Sequence, residues 1–198
     1  MQNRINQSLP LVTVNQLEKQ YTKNNSPVFS DISFSIARGE FVCMIGHSGC
    51  GKSTILNILA GLEMATSGQV SINGHAIKGP GLDRGVVFQG HALMPWLTVE
   101  QNVAMAIRAR HPTMPREDVQ KKTEHYLELV NLTGAIHKRP AELSGGMKQR
   151  VGIARAFSTT PELLLMDEPF AALDALTRGV IQDELLNICT QTSQTVFM

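Results

Sequence analysis

The stretch Gly46-His47-Ser48-Gly49-Cys50-Gly51-Lys52-Ser53-Thr54 constrains this chain more than any other. It fits the spacing G-x-x-x-x-G-K-[ST], in which glycines let the backbone curl until successive N–H groups face phosphate oxygens. Ahead of it, Glu40-Phe41-Val42-Cys43-Met44-Ile45 is a short apolar run that reads as a buried strand. Behind it, Ile55, Leu56, Ile58 and Leu59 recur at helical spacing. A chance glycine-rich turn has no reason to sit between a strand and a helix. The helix start adds its unpaired N–H groups and the positive end of its dipole. In such a loop the segment Gly46–Gly51 wraps the phosphates and Lys52 bridges the β- and γ-phosphates. Ser53 gives its hydroxyl to Mg²⁺, and Thr54 supports the α-phosphate.

The chain has 198 residues, enough for one sizeable core or one core plus a small subdomain. A formal net charge of +1 argues against general polyanion binding, nucleic acid included. The sequence has no apolar run long enough to span a bilayer. The start, Met1-Gln2-Asn3-Arg4-Ile5-Asn6-Gln7-Ser8, lacks the apolar segment of a secretory signal, so none is expected. Cys43, Cys50 and Cys189 show no metal-ligand spacing, and an odd number of cysteines suits a reducing cytosol.

In chain order, Leu11–Val14 reads as a strand, Lys23-Asn24-Asn25-Ser26-Pro27 as a polar turn, and Val28–Ile36 as an antiparallel strand that partly alternates. Ala37-Arg38-Gly39 turns into the strand before the loop. Ser67-Gly68 is expected to break the chain, and Gln69–Ile72 followed by Asn73-Gly74 signals a hairpin. Gly85–Phe88 is a further strand. Thr98 with Gln101 resembles a capping box opening a helix to about Arg108. Pro115 opens a second helix that Gly134 is expected to end, and a third begins near Ser144. Pro161–Met166 is a buried strand, Asp174 to about Thr192 an amphipathic helix, and Thr195–Met198 the start of another strand.

Two more stretches carry chemistry. Leu163-Leu164-Leu165-Met166-Asp167-Glu168 is an apolar strand ending in two acids. Solvated acids at a strand exit would be the bland explanation. Beside a phosphate loop, such an Asp holds Mg²⁺, usually through water, which nominates Asp167. Glu168 would then polarise the attacking water as general base. In Leu143-Ser144-Gly145-Gly146-Met147-Lys148-Gln149-Arg150, Ser144 is an N-cap and the two glycines bare the helix-start N–H groups. One nucleotide does not need two phosphate cradles, so Ser144, Gly145 and Gly146 make sense as a cradle for the nucleotide of another copy.

Leu143–Arg150 resembles the signature sequence of ABC transporter ATP-binding subunits, and the other motifs follow in that family's order. Gly46–Thr54 resembles its phosphate loop, Gln89 its Q-loop glutamine, and Asp167 and Glu168 its Mg²⁺-binding acid and catalytic glutamate. Ala171-Ala172-Leu173-Asp174 resembles its D-loop. Tyr21 resembles the aromatic that stacks on adenine. The resemblance implies an α/β fold: a core sheet around the phosphate loop, an antiparallel β subdomain, and a helical insert over about 89–157 that carries the signature. It implies a single ATP-binding domain over 1–198, incomplete at its C-terminal end. It also implies ATP and Mg²⁺ as ligands, the latter held by Ser53, Gln89 and Asp167, with hydrolysis served by Glu168, Gln89 and Lys52. The implied partners are a second ATP-binding subunit, integral-membrane permease subunits and, indirectly, a solute-binding protein. The implied location is the cytoplasmic face of a bacterial inner membrane. Met94-Pro95-Trp96, Asp167-Glu168-Pro169-Phe170 and Ala175-Leu176-Thr177-Arg178 resemble the subgroup importing nitrate, cyanate, taurine or alkanesulfonates, nitrate and cyanate members most. An ATP-binding module without turnover and a non-transport ABC ATPase are the competing classes.

The family carries a switch histidine beyond the strand that follows the D-loop helix. His47, His75, His91, His111, His125 and His137 all precede Asp167. A fragment, a truncated product and a naturally short member all fit this. Removing one preorganised donor to transition-state charge commonly costs roughly 10²–10³ in rate. Met1–Met198 is therefore expected to bind Mg-ATP weakly and hydrolyse it far more slowly than a version extended through a histidine-bearing loop. Equal phosphate release from both at saturating ATP would contradict this.

Overall fold

The computed structural model describes residues 9–22, 26–171 and 173–198, with Leu176 and Thr177 described by their backbone alone. The expected start at Met1–Ser8, the turn residues Lys23–Asn25 and Ala172 of the D-loop stretch lie outside the described residues. The chain divides into two compact units, Met1–Gly81 and Leu82–Met198.

The first unit is built on an antiparallel sheet. Its strands are β1 (Val12–Lys19), β2 (Phe29–Ile36), β4 (Ser67–Ile72) and β5 (His75–Ala76), in the order β2-β1-β4-β5. Register explains the core: Val12 lies between Ile36 and Ile72, and Val14 between Phe34 and Val70. These apolar rows share one face, the cross-strand unit of sheet stability. Asn73 and Gly74 both take positive φ, 52° and 75°, which is the hairpin geometry the sequence signals.

Ser67-Gly68 does not break the chain; it opens β4. The register of β1 slips between Asn15 and Glu18, Gln16 sits at φ 46°, and Gly68 faces this bulge at φ 84°. A Cβ on Gly68 would lie 2.3 Å from the Gln16 carbonyl oxygen, so glycine serves there as a close-approach residue.

The run before the phosphate loop also departs from expectation. Only β3 (Phe41–Val42) is strand, and Phe41 and Ile45 are 37% and 91% exposed. Exposure alternates along Phe41–Ile45, with Val42 and Met44 half-buried. One face of the run is covered and the other is not, whereas its continuous apolarity implied two. Beyond the loop, α1 (Lys52–Ala60) buries Ile55, Leu56, Ile58 and Leu59, and Gly61 ends it at φ 75°.

The second unit pairs β6 (Arg84–Val87), β7 (Leu163–Met166) and β8 (Thr195–Phe197) in parallel, with β7 in the middle. Every residue of β7 is buried, as a strand covered on both faces requires. Between β6 and β7 run α2 (Val99–Arg110), α3 (Arg116–Leu129) and α4 (Gly145–Ser158), and α5 (Ala175–Thr192) leads into β8. One apolar cluster joins them, with Val103, Ile107, Leu127, Val151, Leu164 and Ile181 at its centre. Both halves of the capping box form: the Gln101 N–H donates to Thr98 Oγ1 at 3.2 Å, and the Thr98 N–H to Gln101 Oε1 at 3.0 Å.

Gly134 does not end α3. Asn131, at φ 54°, takes the left-handed position five residues after Tyr126, and the Leu132 N–H closes back on the Leu127 carbonyl at 2.9 Å. Gly134 lies instead in a 3₁₀ turn over Thr133–Ala135. On α5, Ile181, Leu185, Ile188 and Cys189 form the buried stripe, and burial pushes the Cys189 thiol up to about 11.

Gly68→Ala should cost more stability than Gly74→Ala. Both residues leave the region L-residues favour, a penalty of about 1–2 kcal/mol. A Cβ on Gly74 meets nothing within 4 Å, however, whereas one on Gly68 meets backbone. Urea unfolding of the two variants measures the difference, and equal losses would contradict the bulge contact.

Candidate functional site

The Gly46–Thr54 loop is held open by backbone geometry. Gly49 and Gly51 adopt φ 80° and 97°, and the Cys50 N–H closes a turn on the His47 carbonyl at 3.4 Å. Two of the loop glycines are closely approached by side chains. A Cβ on Gly51 would lie 2.8 Å from the Phe29 ring, and one on Gly46 would lie 2.7 Å from Cys50 Sγ. Around Gly49 nothing lies within 4 Å of such an atom. Lys52 opens α1, and its ammonium donates to the Gly46 and His47 carbonyls at 2.9 and 3.0 Å. The His47 ring nitrogen Nδ1 donates to the Ser48 carbonyl at 3.0 Å. Lys52, Ser53 and Thr54 form the first turn of α1, where helix amides lack intrahelical acceptors. A cation laid across a glycine loop at a helix start is an arrangement whose charge and donors suit phosphate.

Tyr21 belongs to the same unit. Its hydroxyl lies 3.3 Å from Thr54 Oγ1, the last residue of the loop, and the side chain stands 62% exposed. Lys19 lies over the ring, its ammonium 4.8 Å from the centroid.

In the second unit, parallel pairing sets Val87 beside Met166 and brings the next residues of both strands to one end. The Asp167 N–H donates to the Val87 carbonyl at 3.0 Å, extending the ladder by one residue. Gln89 Nε2 then donates to Glu168 Oε2 at 3.3 Å. That contact leaves Gln89 Oε1 available to a cation. Glu168 sits at φ 43°, in a region that strains a non-glycine residue and that clusters at functional sites. The carboxyl ends of parallel strands are where ligands bind in open α/β sheets. Among the described residues, no three His, Cys, Asp or Glu side chains converge on a metal position. The donor set suits Mg²⁺, which is usually held by one or two carboxylates plus phosphate oxygens and water.

Ser144, Gly145 and Gly146 form a separate group at the start of α4. Ser144 Oγ accepts from the Met147 N–H at 3.3 Å, so the cap is present and the glycine amides head the helix.

The sequence reading did not single out the clasp behind Gln89. His91 and Ala92 both take left-handed backbone, φ 59° and 47°. His91 Nδ1 lies 2.6 Å from Gln149 Oε1, and Gln149 is buried on α4 with no partner for its Nε2 among the described residues. Arg155, also on α4, donates to the Ala92 and His91 carbonyls at 2.6 and 3.2 Å. Its burial lowers the guanidinium pKa. Buried Asn102 on α2 donates to the Met94, Leu97 and Thr98 carbonyls and accepts from the Met94 N–H at 2.8 Å. Gln149 lies inside the signature stretch and was legible there; its partner, 58 residues earlier, was not.

The family model that matches is the ABC transporter model, over residues 29–171. The chain belongs to the ABC transporter family. It is 52% identical over 168 residues to the nitrate import ATP-binding protein NrtD of Synechococcus elongatus, covering 85% of this chain and 61% of that protein. It is 50% identical over 190 residues to the bicarbonate transport ATP-binding protein CmpC of the same organism, covering 94% of this chain and 29% of that one. The chain thus spans about three fifths of the length of NrtD and less of CmpC. The fold is that of a solved dimeric ATP-binding cassette in a post-hydrolysis state with ADP and Pi, with a TM-score of 0.83 and 32% identity over 94% of this chain and 86% of that one. The nitrate likeness read from the sequence is borne out, and bicarbonate joins it as a solute named among the relatives.

Replacing Arg155 by Met should remove two charge-assisted bonds to the segment after Gln89. The expected loss of stability is about 1–3 kcal/mol. Urea unfolding measures it, and an unchanged midpoint would mean that the clasp contributes nothing.

Proposed function

We propose that the chain is the ATP-binding and ATP-hydrolysing part of a bacterial importer's energising subunit, serving a small oxyanion such as nitrate. The observation that carries this reading is the Gly46–Thr54 cradle, with Lys52 laid over its carbonyls at the head of α1. Family membership supports it.

Each residue takes a role from its chemistry. Tyr21 stacks on adenine, and the loop amides with Lys52 hold the β- and γ-phosphates, Lys52 exchanging the Gly46 and His47 carbonyls for phosphate oxygens. Ser53, Asp167 and Gln89 Oε1 hold Mg²⁺, directly or through water. The bound ion supplies charge neutralisation on the phosphate oxygens. Glu168 polarises the attacking water, and Gln89 Nε2 orients its carboxylate while the water is being positioned. Ser144, Gly145 and Gly146 serve the γ-phosphate held by a second copy. Its glycine amides fit that use because a side chain there would keep the phosphate from the helix start.

The permease partner has a fitting surface in the second unit. A groove of about 510 Å³ runs between α2 and α3, lined by Leu97, Ala104, Met105, Arg108, Arg116 and Val119 among others. Trp96, in the segment after Gln89, is 66% exposed. Among the described residues no helix is long and apolar enough to cross a membrane. We place the subunit on the cytoplasmic face, docked through this helical stretch over about 89–157, with a solute-binding protein contacting the permease rather than this chain.

Two variants test the reading together. Lys52→Ala should weaken Mg-ATP binding strongly without unfolding the protein. Glu168→Gln should keep binding and slow hydrolysis by about 10²–10⁴-fold, because the amide keeps the shape and cannot take a proton. Nucleotide titration and phosphate release measure the two effects. Unchanged affinity in the first variant, or parental turnover in the second, would sink the corresponding assignment.

A further inference from the structure

Tyr21 is held at two places. Its hydroxyl meets Thr54 Oγ1 at 3.3 Å, which fixes the tip of the ring beside the phosphate loop. The Lys19 ammonium lies 4.8 Å from the ring centroid, which fixes one face. Lys19 is itself pinned. It donates to the Met64 carbonyl at 2.7 Å and pairs with Glu63 at 3.0 Å, and its side chain is 12% exposed against 62% for Tyr21 as a whole. The cation is therefore part of the framework, and the aromatic it supports is the exposed partner.

The bulge in β1 makes this possible. A regular strand would continue its alternation through Gln16, whereas the slip between Asn15 and Glu18 re-aims the strand's end. Lys19 and Tyr21 emerge from that end.

The electrostatics favour a base on the open side. Aromatic faces carry negative charge, so two stacked π-systems repel where the faces align. A cation on one face draws ring density toward itself and eases that repulsion on the other. A purine gains a less negative platform than a free tyrosine would offer.

We propose that Lys19 is a positioning residue for the nucleotide base, holding and polarising Tyr21 as its stacking platform. The inference rests on the reading of Tyr21 as the adenine contact. Its consequence is selective: Lys19 contributes to the affinity that depends on the base, and not to the affinity for phosphates.

The test is titration of the full chain with Mg-ATP and, in parallel, with Mg-tripolyphosphate, which carries the phosphates without a base. Lys19→Met should weaken Mg-ATP by about three- to tenfold, the range of a cation–π contact, and leave tripolyphosphate unchanged. Lys19→Arg should restore most of the loss, since a guanidinium also lies over aromatic faces. Tyr21→Ala should weaken Mg-ATP at least as much, again without effect on tripolyphosphate. Equal weakening of both ligands by Lys19→Met would overturn the proposal and make Lys19 a phosphate or folding residue. Loss in Tyr21→Ala with none in Lys19→Met would overturn it while keeping the Tyr21 reading. No base-dependent loss in Tyr21→Ala would overturn that reading and this inference with it. Should Lys19→Met fail to fold, Glu63→Gln, which loosens the lysine without removing it, is expected to give a smaller loss in Mg-ATP alone, and an unchanged ratio of the two affinities would count against the proposal.

Discussion

The parallel pairing of β6 with β7 is the constraint on which the second unit's chemistry depends. All four residues of β7 are apolar and buried, and the strand pairs with β6 from Arg84 beside Leu163 to Val87 beside Met166. Once Val87 lies beside Met166, the residues that follow emerge together. Gln89 and Glu168 are 79 positions apart in sequence, and the sheet delivers them within 3.3 Å of each other. A slip of one residue would send the two side chains to opposite faces. Glu168 then needs the left-handed backbone at φ 43° to turn its carboxylate toward Gln89, and the rigid strand behind it holds that strain in place.

In the first unit the corresponding constraint is an irregularity. The sheet pairs β1 on both sides, so its exit could only be redirected by breaking the alternation. Gln16 and Gly68 do this jointly: one supplies the extra residue, the other the room for it. The result is a tyrosine whose hydroxyl reaches Thr54 and whose face rests on a lysine tied to Glu63 and Met64. Neither of those ties is visible from spacing, because both bring β1 to the chain just beyond α1.

What was legible in the sequence is what is local. The phosphate loop, the Thr98–Gln101 box, the Ser144 cap and the Asn73-Gly74 turn each combine a residue's own conformational preference with partners a few positions away. The two acids were readable because β7 is apolar without interruption. The failures share a different cause. The apolar run before the loop could not tell whether one or both of its faces would be covered. Asn131 ended α3 ahead of Gly134 because an asparagine also tolerates left-handed backbone, and the first residue able to close the helix did so. The clasp of His91 and Arg155 on α4 required knowing which helix lies behind Gln89, which is a property of packing. A histidine alone carries no such signal.

The separation of nucleotide chemistry from solute chemistry follows from the same residues. Relatives named for nitrate and for bicarbonate match this chain almost equally well. Neither the lysine-bearing loop with the tyrosine beside it in the first unit, nor the glutamine beside a carboxylate in the second, has a feature that distinguishes one oxyanion from another. A small planar anion is discriminated by its hydrogen-bonding rim and by the geometry of the donors around it. The cradle that Gly46–Thr54 provides is instead shaped for a chain of phosphates, with a helix start and a lysine acting on charge rather than on shape. Under the proposed function, selectivity for the solute belongs to surfaces that meet the solute. The groove between α2 and α3, with Arg108 and Arg116 along it and Trp96 exposed in the segment after Gln89, is the surface we propose for the permease.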